Sequence, residues 1–176
     1  MSTSTREVTS VAPGVSFRDL FEANFTHVCR ALRRLGVHPG DLEDVAQELF
    51  VTVHRALPDY DPSRAARPWL LSFALRFAAN YRRLARTRGH VSDDAIAEVA
   101  TPGSDAEARD LVLRALDTLD FDRRSLIVMH DLEGWSAPEI ATELGVPLNT
   151  AYSRLRVARA DFERKVRELA DKGGAE

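Results

Sequence analysis

Cysteine is almost absent from the 176-residue chain: Cys29 stands alone, which excludes an internal disulfide and suits a reducing compartment. Its place among the apolar positions of a helix predicts a buried structural thiol. No apolar run approaches the ~18 residues needed to span a bilayer, and the opening MSTSTREVTSVAPGV lacks the hydrophobic stretch of a secretory leader. A soluble cytoplasmic protein with no membrane insertion is expected. Strand-like alternation, internal repeats, a nucleophile elbow, a phosphate loop and metal-ligand spacings are also missing. His27 lies two residues from Cys29 without further ligands, and His38, His54, His90 and His130 are scattered. No catalytic residue, metal or cofactor is therefore expected. An excess of positive charge is lacking too: the formal net charge is −3, unlike a protein that coats nucleic acid through a broad positive field.

What the chain does have is segregated charge. From Arg64 to His90 the ionisable residues include Arg64, Arg67, Arg76, Arg82, Arg83, Arg86 and Arg88 with no acid, whereas Asp41 to Asp61 carries six acids against Arg55. It also has a strong stretch, SAPEIATELGVPLNTAYSRLRVAR, from Ser136 to Arg159. Ser136 with Glu139 makes a capping box, Pro138 is tolerated in a first turn, and Gly145 allows the chain to leave the short helix through φ > 0. A second helix is predicted from Asn149 or Thr150, with Ala151, Leu155, Ala158, Phe162, Val166 and Leu169 as its buried stripe. Two helices joined by a tight glycine-containing turn form a helix-turn-helix, which projects the start of its second helix into a major groove. Tyr152, Ser153, Arg156 and Arg159 lie off the stripe and can reach base edges or phosphates.

Taken in order, residues 1–15 read as a disordered tail. Ser16 and Asp19 are expected to cap a first helix with Phe17, Leu20, Phe21, Phe25, Val28, Leu32 and Leu35 as its apolar face, ended by Gly36 and Pro39-Gly40. Asp41, with Asp44, is expected to open a second helix packed through Leu42, Val45, Leu49, Val53 and Leu57. Asp44, Gln47, Glu48 and Val51 are left outside as a mixed acidic and apolar ridge. Pro58 to Pro62 reads as a loop. A third helix from Arg67-Pro68 to about Thr87 carries Trp69, Leu70, Phe73, Ala74, Phe77 and Tyr81 on one stripe and arginines elsewhere. Cations interleaved with rings suit single-stranded nucleic acid, although arginines at a helix C-terminus also complement its dipole. Residues 90–103 read as an acidic linker. Ser104 with Glu107 is a further capping box, followed by helices through Leu119 and from Phe121 to Leu132. The expected fold is all-α: a three-to-four-helix N-terminal domain (16–89) and a C-terminal helix-turn-helix domain (104–171) joined by a flexible linker.

DLEDVAQELFVTVHRAL followed by RPWLLSFALRFAANYRRLARTR resembles the core-binding and promoter-melting segments of bacterial sigma factors of the extracytoplasmic-function (ECF) group. LDTLDFDRRSLIVMHDLEGWSAPEIATELGVPLNTAYSRLRVARADF resembles their C-terminal domain, which reads the −35 element. The resemblance implies a sigma factor whose partners are promoter DNA, core RNA polymerase through its β′ clamp helices and β flap, and an anti-sigma factor. It assigns Asp44, Gln47, Glu48 and Val51 to core binding. It assigns Asp59, Tyr60, Arg67, Trp69, Arg76, Asn80, Arg82 and Arg83 to the −10 element and its melting, and Asn149, Thr150, Tyr152, Ser153, Arg154, Arg156 and Arg159 to the −35 element. Asn149, Ala151, Tyr152, Asn80 and Arg76 depart from the family's usual residues on those surfaces, so no promoter consensus is predicted. The alternative is a stand-alone helix-turn-helix regulator with an N-terminal sensing or dimerisation domain.

Overall fold

The computed structural model describes residues 16–87 and 104–173; the expected tail and the linker 90–103 lie outside the described residues. Among the described residues every regular element is helical. These are α1 (Phe17–Arg34), α2 (Leu42–Ala56), α3 (Ala66–Thr87), α4 (Ser104–Asp117), α5 (Phe121–Ile127), α6 (Ala137–Leu144) and α7 (Leu148–Gly173). Short 3-10 turns occupy Pro39–Asp41 and Leu57–Asp59, and α5 runs on into a π-helical turn at Val128–Leu132.

The helices pack in two groups, α1 with α2 and α3, and α4 to α6 around α7. In the first group Leu20, Val28, Leu32 and Leu35 meet Leu49, Phe50, Val53, Leu70, Leu71 and Ala74, all buried. Phe50 anchors this core, with the Phe21 ring 4.8 Å away, edge-on. In the second group Leu116, Leu126, Ile127, Met129 and Ile140 close over Ala151, Leu155 and Ala158 of α7. The alanines on that stripe let the neighbouring helices approach closely, as the 3–4 residue spacing requires.

The helix-turn-helix forms as its residues dictate. Ser136 Oγ accepts from the Glu139 N–H at 3.4 Å while Glu139 Oε2 accepts from the Ser136 N–H at 2.7 Å, so two orphan donors of α6 are satisfied reciprocally. At the other end Gly145 adopts φ 62°, ψ 35°, and the Val146 N–H returns to Ala141 O at 3.0 Å. The α7 helix begins at Leu148, slightly earlier than expected, with the Thr150 N–H donating to Pro147 O at 2.9 Å.

Two expected caps do not form. Ser16 occupies the N-cap of α1, but its side chain makes no capping hydrogen bond; Leu20 N–H takes the Ser16 carbonyl instead. Asp41 precedes α2 with φ −107°, ψ −3° and likewise makes no side-chain cap. A residue already near helical angles does not aim its carboxylate back at the first-turn N–H groups. The turn is started earlier, where His38 Nδ1 accepts from Gly40 N–H at 3.1 Å, and Asp41 receives the Tyr81 hydroxyl at 2.5 Å. Burial, with that bond to Asp41 adding to it, pushes the Tyr81 phenol up to about 12. The expected cap at Ser104 lies outside the described side chains. The segment expected as one helix to Leu132 widens at its end: Glu133 N–H donates to Val128 O at 3.0 Å, five residues back.

Ile140 is fully buried, whereas open space surrounds the point where a Cβ would stand at Gly145. Ile140→Ala should lower stability by about 2–5 kcal/mol through the cavity it leaves. Gly145→Ala should cost only the left-handed backbone penalty, about 1–2 kcal/mol. Urea titration of both variants checks the order.

Candidate nucleic-acid interface

On α7, Asn149, Tyr152, Ser153, Arg154 and Arg156 are exposed and Thr150 is half-buried. Tyr152 leaves 55% of its surface in water. These side chains occupy the first turns of a helix whose opposite stripe is locked in the core, so they project outward together. Arg159 is placed differently. Its Nε donates to Asp131 Oδ1 at 3.0 Å and Oδ2 at 3.1 Å, with Nη2 on the same carboxylate. Hydrogen bonding to Asp131 raises the guanidinium's pKa, and the pair braces α7 against the π-helical turn.

On α3, Arg67, Arg76, Asn80 and Arg83 are exposed and Trp69 is half-buried. Arg76 lies 4.6 Å over the Phe73 ring and donates through Nε to Ser72 O at 3.1 Å. Arg83 Nη2 donates to Asn80 Oδ1 at 2.8 Å. Asp59 is exposed in its 3-10 turn. Tyr60 is buried, its ring 4.5 Å from Trp69 and its hydroxyl bonded to Arg64 O, so it forms the floor of this loop rather than a free ring. Arg82 is half-buried, its guanidinium 5.7 Å over the Phe121 ring of α5. On α2 the ridge of Asp44, Gln47, Glu48 and Val51 is exposed throughout, Val51 by 53%.

A cleft of about 640 Å³ lies between α3 and α7: Arg76 and Ala79 of α3 line it with Ser153, Arg154 and Val157 of α7.

The residues that hold the two helix groups together were not foreseen. Arg124 of α5 is 1% exposed. It donates from Nε to Arg34 O and from Nη2 to Arg33 O at 3.1 Å, the last carbonyls of α1, and meets Asp117 at 2.7 Å. Desolvation pulls its pKa down to about 10, with Asp117 opposing, so it stays charged at neutral pH. Asp117 also takes Arg33 at 3.3 Å, and Glu133 takes Arg34 at 2.9 Å. His27 Nε2 approaches Glu133 at 3.2 Å without hydrogen-bond geometry. Cys29 is half-buried; burial, then Glu43, pushes its thiol up, away from a reactive thiolate.

Two helical modules, one bearing a helix-turn-helix and the other an arginine-and-aromatic face beside an acidic ridge, define a DNA-binding transcription protein. The model described as "Sigma-70 region 2" matches residues 20–88, and the one described as "Sigma-70, region 4" matches residues 109–162. The ECF RNA polymerase sigma-E factor of Escherichia coli (strain K12) is 30% identical over 167 residues, covering 86% of this chain and 87% of that protein. The RNA polymerase sigma factor NccH of Alcaligenes xylosoxydans xylosoxydans is 28% identical over 155 residues, covering 82% and 83%. The structure of CnrH in complex with the cytosolic domain of CnrY matches with TM-score 0.59 and 30% identity, covering 89% of this chain and 88% of that one. The sigma factor RpoE in complex with the anti-sigma factor NepR, from Bartonella quintana, shares the fold with TM-score 0.66 at 18% identity, covering 86% and 96%. The chain belongs to the sigma-70 family, in its ECF group. It binds core RNA polymerase and directs promoter-specific initiation, reading the −35 element with its helix-turn-helix and melting the −10 element, and the stand-alone regulator is not favoured. Among the described residues no helix is long and apolar enough to cross a membrane.

The reading helix depends on the capping box in front of it. Bonds from the Ser136 hydroxyl and N–H hold the Glu139 carboxyl below the ordinary glutamate range. A depressed carboxylate contributes stability above its unfolded pKa and loses it as pH falls through the folded one. Ser136→Ala should therefore cost about 1 kcal/mol at neutral pH, and the deficit should shrink on acidification through the carboxylate range, as thermal melts at several pH values will show.

Proposed function

We propose that residues 16–89 form the polymerase-docking and −10 module and residues 104–171 the −35 module, joined by the acidic linker 90–103. Asp44, Gln47, Glu48 and Val51 dock on the β′ clamp helices, and the 104–171 module meets the β flap. Asn149, Thr150, Tyr152, Ser153, Arg154 and Arg156 read the −35 major groove, with Arg159 oriented by Asp131. Arg67, Trp69, Arg76, Asn80, Arg82 and Arg83, with Asp59 and Tyr60 shaping the adjoining loop, hold the separated −10 strand. The observation that carries this reading is the helix-turn-helix: α7 buries Ala151, Leu155 and Ala158 and leaves Tyr152, Ser153, Arg154 and Arg156 together in water.

The protein carries no chemistry of its own in this reading. Unstacking a base costs a few kcal/mol, and stacking it on an aromatic side chain returns about 1–3 kcal/mol. Phosphate contacts from the arginines then tip the balance toward the opened strand. Work of this kind takes place in the cytoplasm, beside the polymerase. The negative net charge accords with a subunit that binds duplex poorly until polymerase sets the spacing of its modules. An anti-sigma factor is a further partner, supported by the complexes in which CnrH and RpoE were solved.

Replacing Asp44 and Gln47 together by alanine should weaken capture of core polymerase while leaving helicity unchanged; equal capture would refute the ridge. Tyr152→Ala and Arg156→Ala should each reduce cognate transcription by about 1–3 kcal/mol per lost contact and leave core capture intact. Loss of both properties together would assign these residues to folding.

A further inference from the structure

An opened promoter strand has bases without stacking neighbours, and a surface that keeps the strands apart has to offer those bases flat faces in water. The rings along α3 are largely committed elsewhere. Tyr60 is buried with its ring 4.5 Å from Trp69, and Trp69 lies 5.1 Å from Phe73, edge to face. Phe73 is buried as well, so these rings pack on one another and only Trp69 is partly exposed. Phe77 and Tyr81 are half-buried, and Tyr81 spends its hydroxyl on Asp41.

The column of rings ends on a guanidinium. Arg76 is exposed and lies 4.6 Å over the Phe73 ring, while its Nε donates to Ser72 O at 3.1 Å. Ser72 is itself fixed, its Oγ donating to Trp69 O at 2.8 Å. A planar group with a ring beneath it and a bond at one edge is held in one attitude, with its other face toward solvent. Trp69, Phe73, Arg76, Asn80 and Arg83 follow at spacings of 4, 3, 4 and 3, one face of α3. Arg76 thus stands where the ring-bearing part of that face gives way to its polar part.

A guanidinium is flat and weakly hydrated, so a base stacks on it as on an aromatic ring, and a ring behind it adds to the attraction. A phosphate is met differently, edge-on through a pair of N–H groups, and the edge of Arg76 that contains Nε is already engaged. A base lying face-on asks for no new donor and breaks neither the contact with Phe73 nor the bond to Ser72. Phosphates are left to exposed neighbours such as Arg67 and Arg83.

We propose that Arg76 is a stacking platform of the −10 surface: an unpaired base of the opened strand lies flat on its guanidinium and extends the column of Tyr60, Trp69, Phe73 and Arg76. The cation serves the stack rather than a phosphate. Because every base has a π-face, the platform holds a base without selecting it. The assignment rests on the placement of α3 against the −10 strand proposed above and adds to it what Arg76 touches.

Binding of the holoenzyme to a bubble template tests it, the non-template strand lacking one base at a time across the opened region. With the unmutated protein, removal of the base over Arg76 should weaken binding by about fivefold or more. Arg76→Lys keeps the charge without the plane. It should weaken binding to the intact strand by a similar factor, and removal of that base should then cost nothing further. Arg76→Trp supplies a plane without the charge and should keep the penalty for the missing base. A phosphate contact gives the reverse, Arg76→Lys neutral and Arg76→Trp weakened with a shallower salt dependence, and that result overturns the proposal. So does a set of missing-base penalties that is the same in Arg76→Lys as in the unmutated protein at every position. Arg76 is exposed, so helical circular dichroism and capture of core should be unchanged in both variants; should Arg76→Trp misfold, Arg76→Lys decides alone. Arg67→Ala and Arg83→Ala separate the platform from the surface that carries it. If they weaken bubble binding while Arg76→Lys does not, the platform alone fails; if all three leave binding unchanged, the placement of α3 is wrong and the platform falls with it.

Discussion

A guanidinium removed from water needs acceptors for its N–H groups and a counter-charge, and few places in a helical protein supply both. The end of α1 supplies carbonyls that no helix satisfies by itself, and Asp117 brings the charge. Arg124 binds there, and its neighbours are arranged around it. Arg33 turns toward Asp117, Arg34 toward Glu133, and Gly36 is kept free of a side chain. The two modules share one buried apolar cluster, and these directional bonds add to it a fixed orientation at the end of α1.

The arginines divide into distinct tasks that their number in the sequence conceals. Arg124 is internal, Arg82 lies against Phe121 at the junction, and Arg159 is tied to Asp131. Arg67, Arg76, Arg83, Arg154 and Arg156 face solvent. Within the second set Arg76 already donates to Ser72 O and Arg83 to Asn80 Oδ1, so these two, like Arg82 and Arg159, would exchange an existing partner for a new one on meeting a phosphate. That distinction matters for a protein of negative net charge, because few cations are left over to attract DNA nonspecifically.

Much of this was legible in the sequence, for physical reasons particular to each element. The stripes of α1, α2, α3 and α7 stand out because apolar residues three and four apart have one common face. The Ser136–Glu139 box could be read because both partners lie within one turn and the Gly145 exit agrees with them. Ser16 and Asp41 carry the same residue types, yet a backbone already helical at Asp41 and the hydroxyl of Tyr81, 40 residues away, redirect the outcome. The resemblance alone places Tyr60 on the −10 surface; its burial and its stacking on Trp69 are tertiary events that no local pattern reports. Arg124 did leave a signal. It stands three residues before Ile127 and four before Val128, on the buried stripe of α5, where a charge needs a partner. The partner lies 90 residues upstream, beyond the reach of any local pattern.

The π-helical turn at Val128–Leu132 gives the junction an evolutionary fragility. It carries one residue more than an α-helical turn would use, and just beyond it the chain presents Glu133 to α1, while Asp131 within it faces α7. Loss of a single residue from this turn would tighten the ladder and rotate the downstream chain by about 100°, swinging Glu133 off α1 and unsettling the brace on α7 in one step. One codon deletion would thus undo the Arg34–Glu133 pair and the Asp131 brace together, with every residue on the proposed polymerase and DNA surfaces left as it was.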